Sequence, residues 1–121
     1  MTAGTYDGVT LSGTVSRPKD TSGSNPCVQL KKNDAQAVFT VTSGAVITII
    51  ASSSGSGKST YYTLSGAVSG NATVSESSSF TTKVFTATSD GAVTLAPTQY
   101  QADGATNNNN LRIQKITVTY N

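Results

Sequence analysis

Apolar residues alternate with Ser and Thr along most of this chain, and the alternation runs almost to its last residue. Residues 111–120 read LRIQKITVTY. A period of two is the signature of strands with one buried face. Residues 6–15 alternate in the same way, with Val9, Leu11 and Val15 on one parity. Residues 27–32 predict a short strand with Val28 and Leu30 inward and Lys31 outward. Residues 37–42 predict another, burying Phe39 and Val41. Ser43-Gly44 marks a tight turn. Residues 45–51 are apolar on both parities, which predicts a central strand covered on both faces.

Residues 52–59 read as a Ser/Gly loop. Residues 60–64 form a strand in which one of Tyr61 and Tyr62 must face out. Residues 72–75 fit a short edge strand and residues 80–88 a longer one. Asp90-Gly91 signals a hairpin before Val93 and Leu95, and Pro97 ends that strand. Two stretches are loops by their turn residues: 17–26, with two prolines, and 99–110, with four consecutive asparagines. In the last strand the apolar parity shifts between Ile113 and Ile116, which predicts a β-bulge near Gln114-Lys115. No helical periodicity and no internal repeat is found. Eight or nine short strands at regular spacing predict an all-β chain, an antiparallel jelly-roll-like β-sandwich.

Composition narrows the class. A chain of 121 residues makes one domain, large enough for a core without covalent staples. Thr (20) and Ser (17) form nearly a third of it, and charged residues only 12%, about half the usual share. Such a mixture is typical of extracellular β-domains. A net charge of +2 and a pI near 8.8 are too mild for a nucleic-acid binder. There is no apolar run long enough for a membrane helix. The first residues are not those of a signal peptide, so the chain reads as a module excised from a larger secreted protein. Cys27 is the single cysteine and reads as a small core residue.

Candidate chemistry is sparse. ITIIASSSGSGKST (residues 47–60) imitates a phosphate-binding loop, yet Ser52 replaces the first glycine and the following segment is β-prone rather than helical. With no His and six scattered acids, no nucleophile–base pair or carboxylate pair emerges, and no enzymatic activity is expected. No cofactor is expected beyond a structural calcium, for which residues 103–110 offer oxygen ligands without EF-hand spacing. Asn71-Ala72-Thr73 matches a glycosylation acceptor. Of the tyrosines, Tyr100 in its polar loop is the best placed to stack on a ligand, and with no Trp a flat aromatic platform is not expected. The basic residues remain: Arg17, Lys19, Lys31, Lys32, Lys58, Lys83, Arg112 and Lys115. They read either as a scattered solubilising set or as an array for an anionic polymer.

The order of segments itself resembles a family. A VQLKKNDAQAVFTV pair is followed by the apolar strand GAVITIIA and a Ser/Gly loop carrying one basic residue. An FTTKVFTATSDGAVTL hairpin and the closing LRIQKITVTY strand complete it. Over residues 26–120 this resembles the non-catalytic β-sandwich modules of bacterial pectate lyases. Within them it is most similar to the pectin-binding carbohydrate-binding module family seventy-seven, found in a rumen bacterium's cellulosome. The resemblance implies that lysines recognise homogalacturonan, an acidic plant polysaccharide, and keep an attached lyase at the cell wall. It assigns no lysine singly, so the site is a pool: Lys31, Lys32, Lys58, Lys83, Arg112 and Lys115. Two other readings stand beside it: a module for neutral glycans, centred on Tyr100, and a structural or adhesive domain that binds no free sugar.

Overall fold

The computed structural model describes residues 4–6, 8–16, 27–32, 34–53, 60–68, 72–76, 79–98 and 110–120. They form eleven strands: β1 (Gly4–Tyr6), β2 (Val9–Ser12), β3 (Val15–Ser16), β4 (Val28–Leu30), β5 (Gln36–Val41), β6 (Val46–Ser53), β7 (Thr60–Gly66), β8 (Ala72–Glu76), β9 (Thr81–Thr86), β10 (Gly91–Thr98) and β11 (Leu111–Thr119). Two sheets result, a six-stranded one ordered β1-β2-β5-β10-β7-β8 and a five-stranded one ordered β3-β4-β11-β6-β9. Every pairing is antiparallel. The inner order β5-β10-β7-β8 against β4-β11-β6-β9 is that of a jelly roll, two interlocked Greek keys.

The alternation explains the core. Ile47, Ile49 and Ala51 of β6 are fully buried, facing Phe39 and Val41 of β5, Tyr62 and Leu64 of β7, and Val93 and Leu95 of β10 in one cluster with Leu30, Leu111 and Ile113. Each Val, Leu, Ile and Phe among them contributes about 1.5–3 kcal/mol on burial. Cys27 is a buried thiol in the same interior.

Several expectations need correction. The run 6–15 is three strands, not one. Gly8 (φ +82°) turns β1 onto β2, and Gly13 (φ +79°) takes the chain from one sheet to the other. A side chain at Gly13 would collide with the backbone of Asp34 and Ala35, so glycine is needed for space as well as for φ. Asp90-Gly91 is not a hairpin either: β9 and β10 lie in different sheets. Ser52 and Ser53 belong to β6 and are buried. The outward residues Val46, Thr48 and Ile50 of β6 are only half-buried, so β6, flanked by β11 and β9, is covered on one face and not on both.

Pro97 lies inside β10 rather than ending it. Ala92 and Ala96 turn their carbonyls towards the β7 side, to Ala67 N–H and to the Thr63 hydroxyl. Odd residues of β10 therefore bond towards β5, whose pairing stops at Ala37–Leu95. The missing N–H of Pro97 falls where no ladder bond is required.

Candidate functional site

The outer face of the five-stranded sheet is built around a bulge in β11. Ile113 pairs with Ala51 and Lys115 with Ile50, and the register shifts between Ile113 and Lys115. Gln114 is the extra residue, as the sequence predicts. In a regular strand Arg112 and Lys115, three apart, would face opposite ways. The bulge puts them on one face, because Arg112 pairs with Ser52 and Lys115 with Ile50, two residues apart on β6. That spacing is about 7 Å along the strand.

Around these two cations the face is polar with aliphatic patches. Arg112 stands opposite Gln29 of β4 and its Nε donates to Gln29 Oε1 at 3.0 Å. Gln114 and Lys115 are exposed. Lys115, Ile50 and Thr82 form one row across β11, β6 and β9. Thr117, Thr48 and Val84 form the next. Val84 is 62% exposed, so this part of the face is open.

A second basic group stands at one end of the sandwich, where β4 ends and β5, β7 and β11 begin. Lys31 is exposed in a turn closed by the N–H groups of Asp34 and Ala35 donating to its carbonyl, at 3.3 and 2.9 Å. Asp34 Oδ2 accepts the Thr14 N–H at 2.6 Å. The Thr14 hydroxyl and N–H, against desolvation and with the least contribution from the Lys31 charge, hold the Asp34 carboxyl below its ordinary 3.8. Lys31 therefore spends part of its field on an internal carboxylate.

Lys32 is half-buried, and its N–H donates to Asn110 Oδ1 at 3.1 Å. The Asn110 carbonyl accepts the hydroxyl of Thr60, a fully buried side chain, at 3.0 Å, and Thr60 Oγ1 lies 3.1 Å from Ser53 Oγ. This buried polar knot ties together the ends of β4, β6, β7 and β11. It also disposes of the phosphate-loop imitation: Thr60 is locked in a strand where that motif would open a helix.

The predicted basic residues thus do not converge as one array. Arg112 and Lys115 share the outer face, while Lys31 and Lys32 share the loop end. Lys83 joins neither: it pairs with the fully buried Ile49, on the inward parity of edge strand β9, and is half-buried. Lys58, Arg17, Lys19 and Tyr100 lie outside the described residues, as do Asn71 and, apart from Asn110, the stretch proposed for calcium. Among the described residues no three His, Cys, Asp or Glu side chains gather as metal ligands. Tyr62 is buried and Tyr61 half-buried, while Tyr120 is 57% exposed. Sequence reasoning missed Gln29 and Gln114 as members of the face. The predicted bulge carried the signal for Gln114. Nothing local announced Gln29, which pairs with Arg112 from 83 residues away.

No family model matches the chain, and no curated protein matches it. Solved structures do share its fold. One is the carbohydrate-binding module CBM51-2, solved in complex with GlcNAc together with the INT domains of Clostridium perfringens ZmpB. It is 9% identical, with a TM-score of 0.58, over 95% of this chain and 30% of that one. Another is an exo-β-1,3-galactanase of Phanerochaete chrysosporium with β-1,3-galactotriose. It is 14% identical, with a TM-score of 0.57, over 98% of this chain and 29% of that one. The chain spans less than a third of the length of either. At these identities the likeness is one of architecture: the chain shares their β-sandwich fold.

Proposed function

We propose that this chain is a non-catalytic module that binds an acidic plant polysaccharide, pectin in its homogalacturonan form, and holds an attached lyase at its substrate outside the cell. The observation that carries the reading is the outer face on which the β11 bulge sets Arg112 and Lys115 side by side. The fold shared with a sugar-binding module supports it. Tethering raises the effective concentration of the attached enzyme with no chemistry in the module itself.

The magnitudes dictate how such a site would behave. One exposed Lys–carboxylate contact is worth only about 0.2–1 kcal/mol. A useful affinity needs several contacts along the polymer, giving dissociation constants of roughly millimolar to micromolar. Such binding weakens as salt screens the charges. Lys31 and Lys32 would extend the contact at the loop end, while Lys83 contributes nothing. Affinity gel electrophoresis on low-ester homogalacturonan, at low and high salt, tests the reading. Retardation that is lost in high salt and reduced by Lys115→Ala supports it. Unretarded migration at low salt refutes it and turns attention to neutral glycans, to which the GlcNAc and galactotriose bound by the two structural neighbours direct the next screen.

A further inference from the structure

Gln114 stands outside the ladder of its sheet. Ile113 pairs with Ala51 and Lys115 with Ile50, so Gln114 occupies no rung of the ladder between β11 and β6. Removing it would leave every pair of that ladder in register and Arg112 and Lys115 on the same face. A bulge also costs ladder bonds and bends the strand. What the extra residue adds is a third side chain: Gln114 and Lys115 are both exposed, whereas Ile113 is buried and Ile116 packs against the core. Three polar side chains, Arg112, Gln114 and Lys115, thereby occupy a length of strand that would normally present two.

Their chemistries are complementary. The Arg112 guanidinium is a planar donor array suited to a carboxylate, and Gln29 Oε1 fixes its Nε at 3.0 Å. Lys115 is a compact point charge on the same face. The Gln114 amide offers both a donor and an acceptor, which is what a sugar hydroxyl requires. Beside them the half-buried Ile50 and the exposed Thr82, paired across β6 and β9, give a small floor of side-chain carbon, fit for the C–H face of a ring. We infer that the β11 bulge is a subsite for one carboxylated sugar unit, with Arg112 and Lys115 taking the carboxylate and Gln114 a ring hydroxyl. The inference rests on the polysaccharide reading above and names the part of the face that discriminates.

Titration calorimetry with polygalacturonate at low salt tests it, on the parent chain, a variant with Gln114 deleted, Gln114→Ala, and Lys83→Gln as a variant off this face. Melting curves establish that each variant folds. Should the deletion variant not fold, Gln114→Ala keeps the bulge and still removes the amide. The deletion and Gln114→Ala are each expected to weaken binding about two- to tenfold, the worth of one to two hydrogen bonds, with Lys83→Gln unchanged. A folded variant lacking the Gln114 amide that binds as tightly as the parent overturns the inference and leaves the wider reading standing. A parent chain that binds no polygalacturonate removes the wider reading, and the inference with it.

Discussion

Two aspartates are clamps between sheet crossovers. Asp34 Oδ2 accepts the Thr14 N–H at 2.6 Å, joining the β2–β3 and β4–β5 connections. At the other end Asp90 Oδ1 accepts the Ser43 N–H at 2.7 Å, joining β5–β6 and β9–β10. Asp34 carries a pH signature. Its folded carboxyl is more acidic than the ordinary 3.8, so the folded state binds fewer protons than the unfolded one as pH falls towards that value. The charged clamp therefore stabilises fully above that ordinary, unfolded value and is lost as pH drops through the lower folded one. The gap in melting temperature between the parent and Asp34→Asn should be constant near neutrality and close in acid. A gap that persists at pH 2 would refute this account. Thr60→Val probes the buried knot. It strips the partly buried Asn110 carbonyl of its Thr60 donor and should cost about 1–2 kcal/mol, read from the urea midpoint.

At the level of elements, period-two patterning revealed nearly every strand, because long strands such as β5, β7 and β11 each turn one face to the core. The β11 bulge was equally visible, since Ile113 and Ile116 cannot both face inward without an extra residue. Turns were read less well, because Asp-Gly looks the same whether the chain returns within a sheet or crosses to the other. Lys83 shows a third kind of failure. Its Thr-rich surroundings suggest a solvent face, yet its partner Ile49 is fully buried. An inward-pointing charge on an edge strand is a known defence against edge-to-edge pairing. The β9 segment TTKVFT is otherwise β-prone and uncharged. Lys83→Thr is therefore expected to raise concentration-dependent self-association over the parent in sedimentation velocity, with little change in the circular dichroism of the dilute protein. Equal sedimentation of the two at high concentration would dismiss the guarding role.

For the molecule as a whole, strand number and spacing sufficed for a jelly-roll sandwich, but the strand order and the binding face depend on partners far apart in sequence. Only β1–β2, β3–β4 and β7–β8 stay within a sheet; the other seven connections cross. The centre of the five-stranded sheet is β11, the last strand, which pairs Arg112 with Gln29 and Ser52. The open face carrying Arg112 and Lys115 thus cannot exist until the C-terminal strand inserts between β4 and β6. Loop closure must precede the contacts that reward it, so this topology predicts slow, cooperative folding over milliseconds to seconds. Because the chain has no Trp, stopped-flow refolding is followed by tyrosine emission, with the fully buried Tyr62 as the core reporter. Ile113 packs in the cluster through β11. If insertion of that strand limits the rate, Ile113→Ala should slow folding as well as speed unfolding. An Ile113→Ala effect confined to unfolding would show that β11 inserts after the rate-limiting step, and a sub-millisecond phase of full amplitude would refute slow folding altogether.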